Sequence, residues 1–229
     1  KSFKYFLEPI KWERIIITLY LREVFKMDKY HSMKELQNET IENEDWEIIT
    51  EDRDSNVTIL AIHGGGIEPA TTELARVIAN DGQFNYFAFN GMRTKGNNEL
   101  HVTSINYDND IAMDLVKTSE SAITIHGCLG EDEIAYIGGK DNLLKERIVE
   151  ELSQIGIEVK EAPSHMSGTQ DNNIVNCTKN GVGVQIELTS SLRKSLFKNN
   201  KFNRKSRMDE SNWDDKMYDF GQAINSAIN

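Results

Sequence analysis

The stretch Val57-Thr-Ile-Leu-Ala-Ile-His63-Gly-Gly-Gly-Ile-Glu68 constrains the fold of this chain more than any other. Apolar, largely β-branched residues run up to His63, a row of glycines follows, and Pro69 opens a helix-like segment. A short apolar run closed by a sharp turn into a helix reads as a buried strand leaving the carboxyl edge of an α/β sheet. Ligands gather at that edge. The same device recurs at Ser121-Ala-Ile-Thr-Ile-His126-Gly127. If the two strands lie side by side and parallel, His63, Glu68 and His126 converge. Two histidines and one carboxylate with an open position form a usual ligand set for catalytic zinc.

The remaining pattern alternates strands and helices. Tyr30 to Asn43 reads as an amphipathic helix with Met33, Leu36 and Ile41 inward, and Asp45 to Thr50 as a half-buried strand. Pro69 to Asn80 is a helix with Thr71 and Thr72 as capping candidates. Asn85 to Phe89 is a strand, Asp110 to Lys117 a helix, and Gly127 to Lys140 an irregular loop. Leu143 to Gln154 is a helix stopped at Gly156. Ile157 to Val159 is a short strand, Ala162 to Gly181 a long polar connection, and Val182 to Leu188 a third central strand carrying Glu187. Lys198 to Arg207 reads as a solvated basic stretch, and Trp213 to Ile228 as a closing helix with Met217, Phe220, Ile224 and Ala227 on one face.

The chain of 229 residues is long enough for one α/β domain with a good core. A net charge of −11 argues against nucleic acid and against an anionic membrane surface as partners. Cys128 and Cys177 form neither a disulfide framework nor a CxxC pair. No apolar run approaches the roughly 20 residues that span a bilayer. Ile15 to Leu21, bounded by Arg14 and Arg22, makes a poor signal peptide. The expected setting is therefore cytoplasmic, or release by lysis. Residues 1–26 read either as an added helix or as translated upstream DNA, because Arg22-Glu-Val24 can be encoded by a ribosome-binding sequence ahead of Met27. Residues 27–229 then form a single catalytic domain.

His63 and Glu68 flank a turn whose glycines allow the backbone to fold back, so both side chains can face one point. The competing reading is a phosphate-binding loop at a helix start, but the Lys and spacing of a P-loop are missing. His101 and His165 compete with His126 for the third ligand position. Glu187 ends an apolar strand, so its charge must be paired or functional. Beside a metal it is a general-base candidate. Arg193 and Arg93 are candidates to clamp a substrate carboxylate. Cys128 reads as a ligand, a nucleophile or a small buried hydrophobe.

Taken in order, several blocks resemble the phage and bacillar poly-γ-glutamate hydrolase family. They are Ala-Ile-His63-Gly-Gly-Gly-Ile-Glu68-Pro, Leu100-His-Val-Thr-Ser104, Thr124-Ile-His126-Gly, Gly138-Gly-Lys-Asp141, Asn173-Ile-Val-Asn176 and Gly183-Val-Gln-Ile-Glu187-Leu. The resemblance runs from about Tyr30 to the carboxyl terminus. It implies an open mixed, mostly parallel sheet flanked by helices, like the zinc carboxypeptidases and aspartoacylase. It also implies one Zn2+ ion on His63, Glu68 and His126, and Glu187 as general base and acid. Arg93, Arg193 and His101 are carried as substrate-binding candidates, and the chain is expected to act as a monomer. The implied reaction is attack of water, deprotonated by Glu187, on a γ-amide carbonyl. One departure stands out: Cys177 occupies the place of a family arginine, leaving Lys179 or Arg193 as substitutes. A polyanionic substrate facing an acidic protein requires a locally basic groove, and Arg93, Lys95, Lys140 and Arg193 are the expected contributors. The alternatives are an amidase of small N-acyl amino acids or cell-wall γ-glutamyl peptides, and a metal-binding relative without turnover.

Overall fold

The two strands that end in His-Gly are neighbours in a seven-stranded sheet. The computed structural model describes residues 28–229. The extension expected over residues 1–26 lies outside the described residues. The strands are β1 (Trp46–Glu51), β2 (Val57–Gly65), β3 (Asn85–Gly91), β4 (Ser121–Gly127), β5 (Ile134–Gly139), β6 (Glu158–Glu161) and β7 (Val184–Leu188). Their order is β1-β3-β2-β4-β7-β5-β6. The central strands β3, β2, β4 and β7 are parallel, as are β5 and β6, while β1 against β3 and β5 against β7 are antiparallel. This is the open mixed, mostly parallel α/β sheet that the family resemblance implies.

The helices are α1 (Met33–Glu39), α2 (Thr71–Gly82), α3 (Asp110–Thr118), α4 (Asn142–Gln154), α5 (Ser190–Ser195), α6 (Arg204–Arg207) and α7 (Asp215–Ile228). One face of the sheet packs on α2, α4 and α7, where Leu74, Ile78, Ile148, Leu152, Phe220 and Ile224 are buried against Ile59, Ile123 and Ile186. The other face carries Leu60, Ile62, Phe87 and Phe89 against α1 and α3, through Met33, Leu36, Leu115 and Val116. Burying each such aliphatic side chain contributes about 1.5–3 kcal/mol, so both layers are held mainly by apolar burial. From β2 the chain crosses through α2 to β3 on one side, and from β3 through α3 to β4 on the other. The reversal puts a topological switch point between β2 and β4, the position at which open α/β sheets bind ligands, at the carboxyl ends of the strands. No helix among the described residues is long and apolar enough to cross a membrane.

Several expectations need correction. Residues 134–139, read as loop, form β5, which pairs with β7 and places Tyr136 opposite Glu187. The first helix is shorter than expected and ends at Glu39, leaving Ile41 exposed. Thr71 and Thr72 do not cap α2. Its N-cap is Ala70, held at φ 84°. Thr71 Oγ1 instead donates to the Glu68 carbonyl at 2.9 Å, and Thr72 Oγ1 accepts from Gly65 N–H at 3.0 Å and donates to Asn90 Oδ1. Both hydroxyls therefore brace the glycine turn. Within the stretch 198–207, Arg207 is buried rather than solvated.

Candidate metal centre

Strict alternation along β2 would send His63 to the same side as Ile59 and Ala61, which lie in the larger core. A register shift between Ala61 and Gly64 inserts one extra residue relative to β3. Such bulges re-aim side chains. His63 instead packs edge-on to Tyr107 at 6.4 Å and donates from Nε2 to the Val102 carbonyl at 2.8 Å, both residues of the smaller core. That hydrogen bond fixes the tautomer and leaves Nδ1 as the free lone pair.

On β4, Ile123 and Ile125 face the larger core, so His126 faces the same side as His63. Its Nδ1 lies 3.2 Å from His63 Nδ1, while its Nε2 is buried without a protein partner. Glu68 returns over the turn, with its backbone N–H donating to the His63 carbonyl at 2.8 Å. Its Oε1 is 3.1 Å from His63 Nδ1, and its Oε2 is 3.5 Å from His126 Nδ1 and accepts from Gly127 N–H at 2.8 Å. Tetrahedral zinc with bonds of about 2.0–2.1 Å separates its ligand atoms by roughly 3.3–3.4 Å. The observed separations of 3.1, 3.2 and 3.5 Å bracket that spacing, so this donor set fits the ion.

His101 forms a second possible trio with His63 and Glu68, their donor atoms all lying within 4.8 Å of one another. Its ring stacks on His63 with centroids 3.9 Å apart, and its Nε2 is 3.9 Å from Glu68 Oε1. Nδ1 donates to Asp28 Oδ1 at 2.6 Å, and Asp28 Oδ2 accepts from Thr103 N–H at 2.6 Å. His101 is a third exposed, whereas His126 is buried. The Asp28 partnership carried no sequence signal, since 73 residues separate it from His101. His165 is exposed on the long connection and is not part of the cluster.

Glu187 stands opposite His126 across the parallel β4–β7 pair and so faces the same side. Gln185 Nε2 donates to its Oε1 at 3.0 Å. The two carboxylates are driven apart. Burial pushes Glu68 up, but the charges and hydrogen bonds of His63 and His126 prevail and hold it well below the usual carboxylate range. Burial raises Glu187 to about 7, with Glu68 adding to the rise and His126 opposing it. Burial alone would lower His126, yet Glu187 and Glu68 raise it.

The arginines divide differently. Arg193 is buried and donates from Nε to the Leu188 carbonyl at 3.1 Å, from Nη1 to Pro69 at 2.9 Å and from Nη2 to Cys128 at 3.0 Å. It ties together the loops that follow β2, β4 and β7. Arg93 is committed to Asp45 at 2.6 Å and Glu99 at 3.3 Å. Lys140 pairs with Asp171 at 2.6 Å, while Lys95 is exposed. The expected cations therefore do not line one groove at the centre. Cys177 Sγ approaches the Asn173 carbonyl at 3.5 Å, and Lys179 N–H donates to the Ser119 carbonyl ahead of β4. Position 177 thus lies toward the amino edge of the sheet, opposite His63 and His126.

Comparison with known proteins identifies the family to which this fold belongs. UPF0714 protein YndL of Bacillus subtilis (strain 168) is 32% identical over 206 residues, covering 89% of this chain and 79% of that protein. The SPbeta prophage-derived UPF0714 protein YoqZ of the same organism is 32% identical over 238 residues, covering 100% of this chain and 83% of its own length. Among solved structures, a bacteriophage poly-gamma-glutamate hydrolase superposes with a TM-score of 0.85 at 28% identity, over 88% of this chain and 97% of that one. A zinc-free form of YndL superposes with a TM-score of 0.81 at 32% identity, over 88% and 98%. The profile of the poly-gamma-glutamate hydrolase family matches residues 30–223, nearly all of the described chain. On the family profile and these relatives, this chain belongs to the poly-gamma-glutamate hydrolase family.

Proposed function

We propose that this chain is a zinc-dependent hydrolase of the γ-glutamyl amide bonds of poly-γ-glutamate. His63, Glu68 and His126 hold one ion, and Glu187 moves the proton. The carrying observation is the convergence of His63, Glu68 and His126, with donor atoms 3.1, 3.2 and 3.5 Å apart, beside Glu187 on the same side of the sheet; His63 and His126 lower the Glu68 carboxyl while burial raises that of Glu187. Environments that push two carboxyl groups apart separate an electrostatic role from an acid–base role. When bound, zinc supplies Lewis acidity to the attacking water and the scissile carbonyl.

His126 suits the third ligand position better than His101, because its Nδ1 is closer to the other donors and buried. Glu187, steadied by Gln185, takes the proton of the attacking water and returns it to the leaving α-amine. Of the three candidates for substrate contact, His101 has the supporting position, at the rim with Nε2 toward Glu68. Arg193 braces the Glu68 loop through the Pro69 carbonyl, and Arg93 is neutralised by its two carboxylate partners.

The test is the chain length of poly-γ-glutamate, followed by size-exclusion chromatography with light scattering. Protein stripped by a chelator is expected to leave the polymer intact, and one equivalent of zinc to restore shortening. An intact polymer with zinc bound at one per chain would refute the reading.

A further inference from the structure

From Thr189 to Met208 the sequence contains no Asp or Glu, yet it holds seven of the chain's 26 Lys and Arg residues, in a protein whose net charge is −11. The stretch leaves β7 immediately after Glu187 and Leu188 and stays on the carboxyl edge of the sheet. Arg193 bonds the carbonyls of Pro69 and Cys128, Arg204 Nη1 bonds Met92 at 2.9 Å, and Arg207 Nη2 bonds Gly65 at 2.9 Å. These carbonyls lie at or just beyond the carboxyl ends of β2, β3 and β4, the end that presents His63, Glu68 and His126. Two buried guanidinium groups, Arg193 and Arg207, anchor the strip, with Arg207 also bonded to Glu73 at 3.0 Å.

The other five cations, Lys194, Lys198, Lys201, Arg204 and Lys205, are exposed. Among the described residues none of them forms an ion pair, whereas Lys29, Lys34, Arg76, Arg93, Lys140 and Lys216 each hold a carboxylate. Asp209 bounds the strip. Its carboxylate accepts from Ser211 and lies near Lys198 and Lys205. Lys194 and Lys201 make no side-chain hydrogen bond or ion pair among the described residues, and Arg204 carries an unpaired charge although its Nη1 bonds the Met92 carbonyl. An acidic protein repels a polyanion at long range, and a local cationic track beside the reactive centre offsets that repulsion within a Debye length.

We propose that this strip, centred on Lys194, Lys201 and Arg204, is the polyanion-binding surface of the protein and lays the repeating α-carboxylates of poly-γ-glutamate beside the metal centre. The identity of the polymer rests on the function proposed above. These side chains are exposed and their replacement removes a single hydrogen bond, that of Arg204 to Met92, so the fold is expected to be retained, which a thermal melt of each variant checks.

The experiment measures binding of fluorescently labelled poly-γ-glutamate by anisotropy, in the zinc-loaded chain carrying Glu187→Gln. That chain is compared with one also carrying Lys194→Gln, Lys201→Gln and Arg204→Gln. A charge-matched control carries Lys117→Gln, Arg147→Gln and Lys160→Gln, which lie away from the strip. The strip variant is expected to weaken binding by roughly tenfold or more and to flatten its salt dependence, with the control within about twofold of the parent. Equal shifts in both variants, or no polymer binding by the parent, would overturn the proposal. Hydrolysis by the unmodified chain is read separately. Cleavage with charge-independent binding removes the strip and leaves the hydrolase reading. Charge-dependent binding without cleavage removes the hydrolase reading and leaves the strip.

Discussion

Replacing Gly127 with Ala tests how the residue after His126 supports the centre. A Cβ there would stand 2.6 Å from Arg193 Cζ, 2.7 Å from Nε and 2.9 Å from Nη1. Ordinary contact begins near 3.4 Å, so the guanidinium must retreat by the difference, 3.4 less 2.6, about 0.8 Å. It is not the free end of a flexible chain, because the carbonyls of Leu188, Pro69 and Cys128 fix it at 3.1, 2.9 and 3.0 Å. Such a retreat breaks at least one of these bonds. Overpacking costs about 1–3 kcal/mol and a charge-assisted hydrogen bond about 1.5–3 kcal/mol. A total of about 3 kcal/mol lowers the melting temperature of a domain this size by roughly 6–12 °C. Gly127 N–H also holds Glu68 Oε2 at 2.8 Å, and disturbing such outer contacts weakens metal affinity by roughly 10–100-fold. Thermal melts and competition for zinc with a chromophoric chelator measure both effects. The same substitution in an Arg193→Ala background should cost much less, because the obstacle is gone. A Gly127→Ala protein that melts with the parent and keeps its zinc would show that the Arg193 guanidinium is not held in place. So would an equal cost in both backgrounds.

Other outcomes follow from the same geometry. Asp28→Asn keeps an acceptor for Thr103 N–H but removes the carboxylate that orients His101. Turnover should fall by roughly 10–100-fold with zinc content unchanged, and turnover equal to the parent's would show that His101 needs no orienting carboxylate. Glu187 is raised to about 7 by burial, so the fold favours its protonated form. That stability is complete below the ordinary carboxylate range and is lost as pH rises through about 7. The melting temperature of the metal-free protein should therefore fall from pH 5 to pH 8, and Glu187→Gln should reduce the fall. An identical profile in the variant would contradict the assignment. Burial and the nearby Glu187 raise the Cys128 thiol to about 11. Alkylation at pH 8 should then be roughly a thousandfold slower than expected for a full thiolate, and rapid labelling of Cys128 by iodoacetamide would contradict that environment.

The centre was legible in the sequence to the extent that local signals carried it. The strand-His-Gly device marked His63 and His126, and Glu68 sat one turn away, so neighbouring strands were enough to bring them together. The bulge that turns His63 toward His126 was not legible, because period-2 alternation points it to the other face. Strand β5 was hidden by Gly138 and Gly139, which read as loop punctuation. Both are required by close backbone approach, since a Cβ would meet the Ser167 carbonyl oxygen at 2.3 Å and the Gly183 carbonyl oxygen at 2.2 Å. The burial of Arg207 depends on Glu73 and Gly65, more than a hundred residues earlier in the chain. Only tertiary structure shows that one end of a basic run is an anchor and the rest is open surface.

Glu187 is proposed to move protons at a zinc centre built by His63, Glu68 and His126. The most direct measurement compares the unmodified chain and Glu187→Gln on poly-γ-glutamate, each first shown by metal analysis to carry one zinc. Equal zinc is expected in both, with progressive shortening of the polymer by the unmodified chain and at least a hundredfold slower shortening by the variant, the order of a lost general base. Shortening at the same rate by both proteins would contradict that role for Glu187.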